Sequence, residues 1–453
     1  MGDLTYEAAL GLLQERGRFG IRLGLGRTRA LLRELGDPQL AFRGALVAGT
    51  NGKGSVLALV TSALRAAGLR AGETPKPHLV TYRERLQIAG RLVDPATFAR
   101  LVELALPAAD RVARRHGDPT EFELLTAVAF RWFADEAVDL AVVEVGLGGR
   151  LDATHAWDGG VAAVTNVDLD HMDRLGSTVT AIAHEKAAII ERGDLAVTGA
   201  DGDGLTVIRR RAARVGAPLT IAPPAALLGW DRDGISVDLP GLGETRVGLR
   251  GRHQAANVAV ADGILDALGA AGIATVGPDA RRAGYAGTRW AGRLELIETG
   301  GRHGREVLLD GAHNPAGAAV LAQALDDLRP FLAGGADAQP PPLTLVVGAM
   351  ADKDVAGVVR ALAASDALAG AEVICTEVDV PRALPAGELA ALWAGAGQGI
   401  RARVVRPPAA ALDAALAGAP GPVVVAGSLY LVGAIRALLV DDPALRDLPG
   451  SGS

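Results

Sequence analysis

Apolar positions along the chain recur with two different periods, and the periods alternate. Residues 6–20 (YEAALGLLQERGRFG) and 26–38 (GRTRALLRELGDP) carry apolar residues every three or four positions. That is the amphipathic-helix period, and Gly36, Asp37 and Pro38 stop the second helix. Residues 42–50 (FRGALVAGT) form a short continuous apolar run, as in a strand buried on both faces, and 55–72 (SVLALVTSALRAAGLRAG) return to the helical period. The same exchange follows through 122–138 (helix), 139–146 (strand), 160–167 (strand) and 178–193 (helix with a capping threonine). Short apolar strands separated by helices predict parallel βαβ units. The expected fold is α/β: a P-loop-type, doubly wound, mostly parallel sheet.

From about Leu195 to Arg250 the pattern loosens, and 234–251 (GISVDLPGLGETRVGLRG) alternates and turns like a small antiparallel patch. A clear helix follows at 253–268. A second strand–loop–helix alternation begins at 290–298 and 306–325, and 343–350, 371–378 and 421–428 supply further parallel strands. This predicts a second, smaller Rossmann-like α/β domain after a linker near Arg293 to Gly304. The expected division is residues 1–296, 297–446 and a flexible tail, 447–453. Residues 332–342 (LAGGADAQPPP) read as an exposed loop.

Composition narrows the function. With 46 basic and 52 acidic residues interspersed and a net charge of −6, the chain shows no basic stripe for nucleic acid and no polybasic membrane patch. No apolar run is long enough to span a bilayer, and the N-terminus lacks a signal-peptide apolar block. The single cysteine, Cys375, excludes an internal disulfide framework. Small-molecule partners and a cytoplasmic location are expected. Lysine occurs only at Lys53, Lys76, Lys186 and Lys353, and every other basic residue is arginine. A compact ammonium that can lose its proton does what guanidinium cannot, so each lysine is a site candidate.

Gly49-Thr50-Asn51-Gly52-Lys53-Gly54-Ser55 lies between a predicted strand and helix, the context a phosphate-binding loop needs. The common loop places Ser or Thr directly after the lysine, whereas here Gly54 intervenes. Glu144 falls at the carboxyl end of a predicted strand, where open α/β sheets gather ligands, and is either a Mg²⁺ ligand or a partner of Arg150. Asp170 and His171 end the next strand, and His171 is a candidate metal ligand. Lys186, on an otherwise apolar helix, is either a desolvated reactive amine or the partner of Glu185 or Glu191. Asp310 and His313 repeat the strand-end arrangement in the second domain, ready to face a cleft. Arg293 is either a phosphoryl clamp or Asp310's ion-pair partner.

Taken together, the segments GTNGKGS, PHLVTYRERLQIAG, EFELLTAVAF, VEVGLGGRLDAT, LDHMDRLGSTVTAIAHEKAAII, GRHQAANVAVA, LLDGAHNP and GSLYLVG resemble the folylpolyglutamate synthase and dihydrofolate synthase family of Mur ligases, in order over nearly the whole chain. The resemblance implies an ATP- and Mg²⁺-dependent ligase of folate metabolism. Such an enzyme phosphorylates a pterin-linked carboxylate, and the amino group of L-glutamate then attacks the acyl phosphate. By similarity, Gly49 to Ser55, Asn257, Arg293, Asp310 and His313 contact ATP. Glu144, His171 and Lys186, the last as a carbamate, match metal ligands. Gly24, Leu25, Gly26, Arg27, His78, Glu121, Phe122, Glu123, Leu151, Asp152, Ala153 and Ser428 match the pterin and glutamate surfaces. Relatives are commonly monomers. Relatives also carry a metal-binding serine where this chain has Lys76. An ammonium does not ligate Mg²⁺, so the expectation is that Lys76 contacts a phosphate or acyl phosphate instead. A Mur-type ligase for another carboxylate and a non-catalytic ATP-binding regulator are the alternatives.

Overall fold

The computed structural model describes residues 4–17, 20, 22–299, 304–335 and 340–445. They divide into two compact units. The first holds the described residues up to Ala225 together with Ala256–Tyr285, and the second holds Ala226–Ala255 and Ala286–Leu445.

The first unit is built on strands β1 (Gly44–Ala48), β2 (Ala71–Thr74), β3 (Gln87–Ile88), β4 (Arg91–Leu92), β5 (Leu140–Glu144), β6 (Gly160–Val164), β7 (Leu195–Thr198) and β8 (Leu219–Ile221). They form one sheet in the order β4-β3-β2-β5-β1-β6-β7-β8. The six strands from β2 to β8 in that order run parallel, and β3 and β4 add an antiparallel edge. All five residues of β1 are buried, as its uninterrupted apolar run requires when helices cover both faces. The register sets Val47 of β1 opposite Glu144 of β5, and Ala48 opposite Val164 of β6. Three chain segments therefore leave the carboxyl edge side by side: the loop after β1, Glu144, and the Thr165–Asp168 turn. Phe42, Phe130, Phe133 and Trp157 pack together, Phe42 edge-on to Phe130 and Phe133 and both Phe42 and Phe130 tilted against Trp157, with ring centroids 5.5–5.9 Å apart.

Residues 195–225 are more regular than the sequence suggests. β7, the helix Gly202–Val215 and β8 extend the parallel sheet, with Leu195 to Thr198 registered on Val161 to Val164. The glycines of GADGDG mask the helix start. The expected antiparallel patch is present as β9 (Ala226–Asp231), β10 (Gly234–Leu239) and β11 (Gly243–Val247).

The second unit carries β12 (Glu295–Glu298), β13 (Glu306–Leu309), β14 (Thr344–Val347), β15 (Glu372–Cys375), β16 (Arg401–Val404) and β17 (Val423–Ala426), ordered β12-β13-β17-β14-β15-β16. All pairings are parallel except β12 with β13. The stretch expected to be a linker thus holds an edge strand, because Leu296 and Ile297 pair with Leu308 and Val307. The expected boundary at residue 296 falls inside that strand. Residues 336–339 of the expected exposed loop and the tail 447–453 lie outside the described residues. No helix among the described residues is long and apolar enough to cross a membrane.

Candidate active site

The loop after β1 is shaped by close approaches that only glycine permits. A side chain on Gly49 would strike the Thr165 hydroxyl, and one on Gly52, which has φ +83°, would strike the Asn257 side chain. Thr165 Oγ1 donates to Asn51 O (2.6 Å), Asn51 N donates to Asn166 Oδ1 (2.8 Å), and Thr50 Oγ1 donates to Asp168 O (3.1 Å). Sequence reading singled out Asp170 and His171 in this turn, but Thr165, Asn166 and Asp168 brace the loop. The signal available was their place directly after β6. The helix Lys53–Ala66 begins at Gly52 with no side-chain cap. Its first-turn N–H groups and the positive end of its dipole therefore remain for an anion.

Two lysines meet at one carbonyl. Lys53 Nζ donates to Gly49 O (3.0 Å) and Thr50 O (3.1 Å), and Lys186 Nζ donates to Gly49 O (2.8 Å). Lys186 is 4% exposed. Loss of water pushes its amine down to about 7, and the Lys53 ammonium adds to that push while Asp170 opposes it. Neither glutamate weighed as a partner takes Lys186: Glu185 receives Arg150 Nε (2.9 Å), and Glu191 lies 3.1 Å from His155 Nε2. That same Arg150 contact removes the alternative partner considered for Glu144.

Glu144 is instead gripped by Lys76. The Lys76 main-chain N–H donates to Glu144 Oε2 (2.8 Å), and its ammonium donates to Glu144 O (2.6 Å) while lying 4.7 Å from the Phe122 ring centroid. Desolvation pushes the Lys76 amine down to about 8, with Asp152 and Glu144 pulling it back up. A pocket beside it is lined by Thr74, Lys76, Arg85, Phe122, Leu125, Thr126, Ala129 and Thr154. His78 Nδ1 accepts from Arg85 Nε (2.8 Å), its ring lies 4.3 Å from that of Tyr82, and burial next to Arg85 drives its pKa down to about 3, so it is neutral.

His171 sits exposed at φ +50°, its Nε2 3.8 Å from Asp170 Oδ2. Among the described residues no three His, Cys, Asp or Glu side chains are grouped to hold a metal. Glu144 and His171 are thus not part of a protein-only metal cage. The donor set still fits Mg²⁺, which retains waters and binds through one or two carboxylates plus phosphate oxygens. The glycine-cleared loop, the uncapped helix start and Lys53 fit the triphosphate that would bring those oxygens.

Of the residues matched to the pterin side, several meet. Gly24 N donates to Leu151 O (3.2 Å), and Arg27 Nε donates to both oxygens of Glu123 (3.1 and 3.0 Å). Glu123 also accepts from Thr120 N, completing a capping box on the helix Glu121–Asp135. Glu121 lies 4.0 Å from Arg85. Asp152 accepts from Leu147 N, Thr154 N and Thr154 Oγ1 (2.6–3.0 Å), fixing the turn that holds Leu151 and the buried Ala153.

In the second unit Asp310 accepts from Leu294 N (3.0 Å) and Ala312 N (2.9 Å). Burial raises its pKa, Arg293 opposes the rise, and Arg293 itself donates to Gly292 O (3.1 Å) in place of a direct ion pair. His313 Nδ1 lies 2.7 Å from Gly311 O. Ser428 is 1% exposed and caps the helix Leu429–Leu439 by accepting from Tyr430 N (3.2 Å).

Comparison with known proteins places this geometry. Residues 47–265 match the Mur ligase middle domain, and residues 292–429 match the Mur ligase, glutamate ligase domain. The chain is 36% identical to a dihydrofolate synthase/folylpolyglutamate synthase of Mycobacterium tuberculosis, over 92% of this chain and 90% of that protein. It is 35% identical to a protein of the same name from Bacillus subtilis, over 71% and 76%. The solved Mycobacterium tuberculosis folylpolyglutamate synthase complexed with ADP superposes with a TM-score of 0.85 at 32% identity, covering 97% of this chain and all of that one. The Escherichia coli FolC in complex with DHPP and ADP gives 0.78 at 29% identity, covering 95% and 97%.

Proposed function

The chain belongs to the folylpolyglutamate synthase/dihydrofolate synthase family of Mur ligases, and on that premise we propose how its own residues carry ATP-dependent addition of L-glutamate to a dihydropteroate or reduced-folate carboxylate. It is an ATP-dependent carbon–nitrogen ligase with Mg²⁺ as cofactor. The reaction needs a γ-phosphoryl group held in line with a carboxylate, then an amine placed against the resulting acyl phosphate. Most of the work is positioning and charge neutralisation.

The Asn51–Ser55 amides and the Lys53 ammonium hold the phosphates. Mg²⁺, when bound, neutralises phosphate oxygens, with Glu144 and His171 as the side chains that would hold it. Lys186 joins that set as a carbamate. Its amine, pushed down to about 7 beside a second lysine, is available uncharged to CO₂, and the carbamate would convert repulsion at Gly49 into attraction. Asn257, Arg293, Asp310 and His313 contact ATP. Gly24 to Arg27, His78, Glu121 to Glu123, Leu151 to Ala153 and Ser428 shape the acceptor and glutamate surfaces. We assign the enzyme to the cytoplasm as a monomer, which its lone free cysteine and small-molecule substrates suit.

The observation that carries this reading is the uncapped helix start at Gly52 with two lysines on one loop carbonyl. The test is ADP and phosphate release with ATP, Mg²⁺, L-glutamate and a panel of dihydropteroate and reduced folates, with product masses read in parallel. Release requiring both acceptor and glutamate, with a mass gain of one glutamyl residue, is the expected result. Release indifferent to glutamate with every pterin overturns it.

A further inference from the structure

Resting on the ligase reading above, we propose that Lys76 and Thr74 form the seat of the acceptor's carboxylate, so that Lys76 is a substrate-touching residue of this chain. Four observations converge on the pocket they line. First, Lys76 Nζ makes one hydrogen bond, to Glu144 O at 2.6 Å, leaving two of its three N–H donors without a hydrogen-bond partner among the described residues. Second, Thr74 Oγ1 is buried with no hydrogen-bond partner among the described residues, and Thr74 is 4% exposed. A buried hydroxyl left unpaired is costly unless a ligand completes it. Third, the lining holds two cationic side chains, Lys76 and Arg85, and no acid.

Fourth, the acids nearest Lys76 are engaged by other donors. Asp152 receives Leu147 N, Thr154 N and Thr154 Oγ1, and Glu144 Oε2 receives the Lys76 amide. The direct contacts of the ammonium are the Glu144 carbonyl and the Phe122 ring face, while the Asp152 and Glu144 carboxylates act on it without an ion-pair contact among the described residues. Phe122, Leu125 and Ala129 give the pocket an apolar wall. The occupant these features select is a carboxylate group, with one oxygen on Lys76 and the other receiving the Thr74 hydroxyl. Lys76 lies against Glu144, whose strand end adjoins the phosphate loop through the Val47–Glu144 register. A carboxylate seated there waits beside the group it must attack, and the same ammonium then faces the acyl phosphate.

The experiment is equilibrium binding of the acceptor acid and its primary carboxamide to the full chain saturated with Mg²⁺ and a non-hydrolysable ATP analogue. Wild type is expected to prefer the acid by at least about 20-fold, the scale of a charge-assisted pair. Lys76→Met should abolish that preference while leaving analogue affinity within about twofold, and Thr74→Val should lower acid affinity by about five- to tenfold, one lost hydrogen bond. Lys76→Arg, which keeps the charge, guards against misfolding and should keep part of the preference. An undiminished acid preference in Lys76→Met overturns the proposal, as does a fall in analogue affinity that matches the fall in acceptor affinity. A wild-type chain that turns over no acceptor with glutamate sinks the ligase reading instead, so the two failures are distinguishable.

Discussion

Two strand–loop–helix turns in this molecule share a plan and differ in how they are finished. In the first unit the loop after β1 leads into the helix Lys53–Ala66, whose N-cap is Gly52 and has no capping side chain. In the second unit the loop after β13 leads into the helix Pro315–Leu328, whose N-cap Asn314 accepts from Gly317 N at 2.7 Å, with proline in the first turn. The second turn satisfies itself. In the first, no capping side chain closes the helix start, and the Lys53 and Lys186 side chains both donate to Gly49 O. The first loop relies on a ligand for what the second obtains from its own side chain.

The largest effect should come from disturbing the first loop's lysines. Lys186→Arg preserves charge but not carbamate chemistry, and turnover should fall by on the order of 10³-fold with the fold intact by circular dichroism. Retention of most activity would remove the carbamate and weaken the contrast. The corresponding charge in the second loop, Asp310, is held by two main-chain N–H groups, so its role is stabilised before any ligand arrives.

Much of this contrast was legible in the sequence. The seven residues from Gly49 to Ser55 and the scarcity of lysine pointed to the first loop, and the β1, β5 and β6 runs gave the sheet that aligns Glu144 with it. The register on β6 was not legible. Thr165, Asn166 and Asp168 brace the loop through contacts between segments more than a hundred residues apart, and no local pattern reports such pairings. Edge strand β12 lies within 290–298, where the second strand–loop–helix alternation begins, but the nearby glycines also read as a linker and put the expected boundary at residue 296, inside the strand. Lys76 stood out by its rarity, but only the structure shows its ammonium on Glu144 O and over Phe122.

A second effect tests whether the first loop is strained by charge. The folded state holds the Lys186 amine at about 7 against an ordinary value of 10.5. A lysine whose pKa is lowered by folding is a penalty on the folded state wherever it must carry its proton. That penalty is full below about pH 7 and fades as pH rises towards the unfolded value. Lys186→Met removes it. In CO₂-free buffer the variant should melt at least about 4 °C above wild type at pH 6, and the gain should vanish as pH approaches the unfolded value of 10.5. A stabilised but inactive Lys186→Met would mark this loop as one where function is held against stability. An equal gain at both pH values would show that packing, not charge, sets the difference.

The smallest effect belongs to the self-satisfied loop and is the sharpest control. Asn314→Ala removes the side-chain oxygen that receives Gly317 N, and a lost N-cap of this kind costs about 1 kcal/mol. Pro315 already lacks an N–H at the first position, so Gly317 N is the first-turn donor that loses its side-chain acceptor. The melting temperature should fall by about 2–4 °C, and the affinity for a non-hydrolysable ATP analogue, measured by calorimetry, should stay within about twofold. Placing the missing cap on the other helix makes the reciprocal test. Gly52→Ser would offer a hydroxyl to the first turn of Lys53–Ala66, but at φ +83° and against the Asn257 side chain. It should lower analogue affinity by about tenfold or more, through strain at the loop and competition for its amides. If Asn314→Ala weakens nucleotide binding as much as Gly52→Ser does, the second turn is as dependent on a ligand as the first, and the division of labour drawn from their caps is wrong.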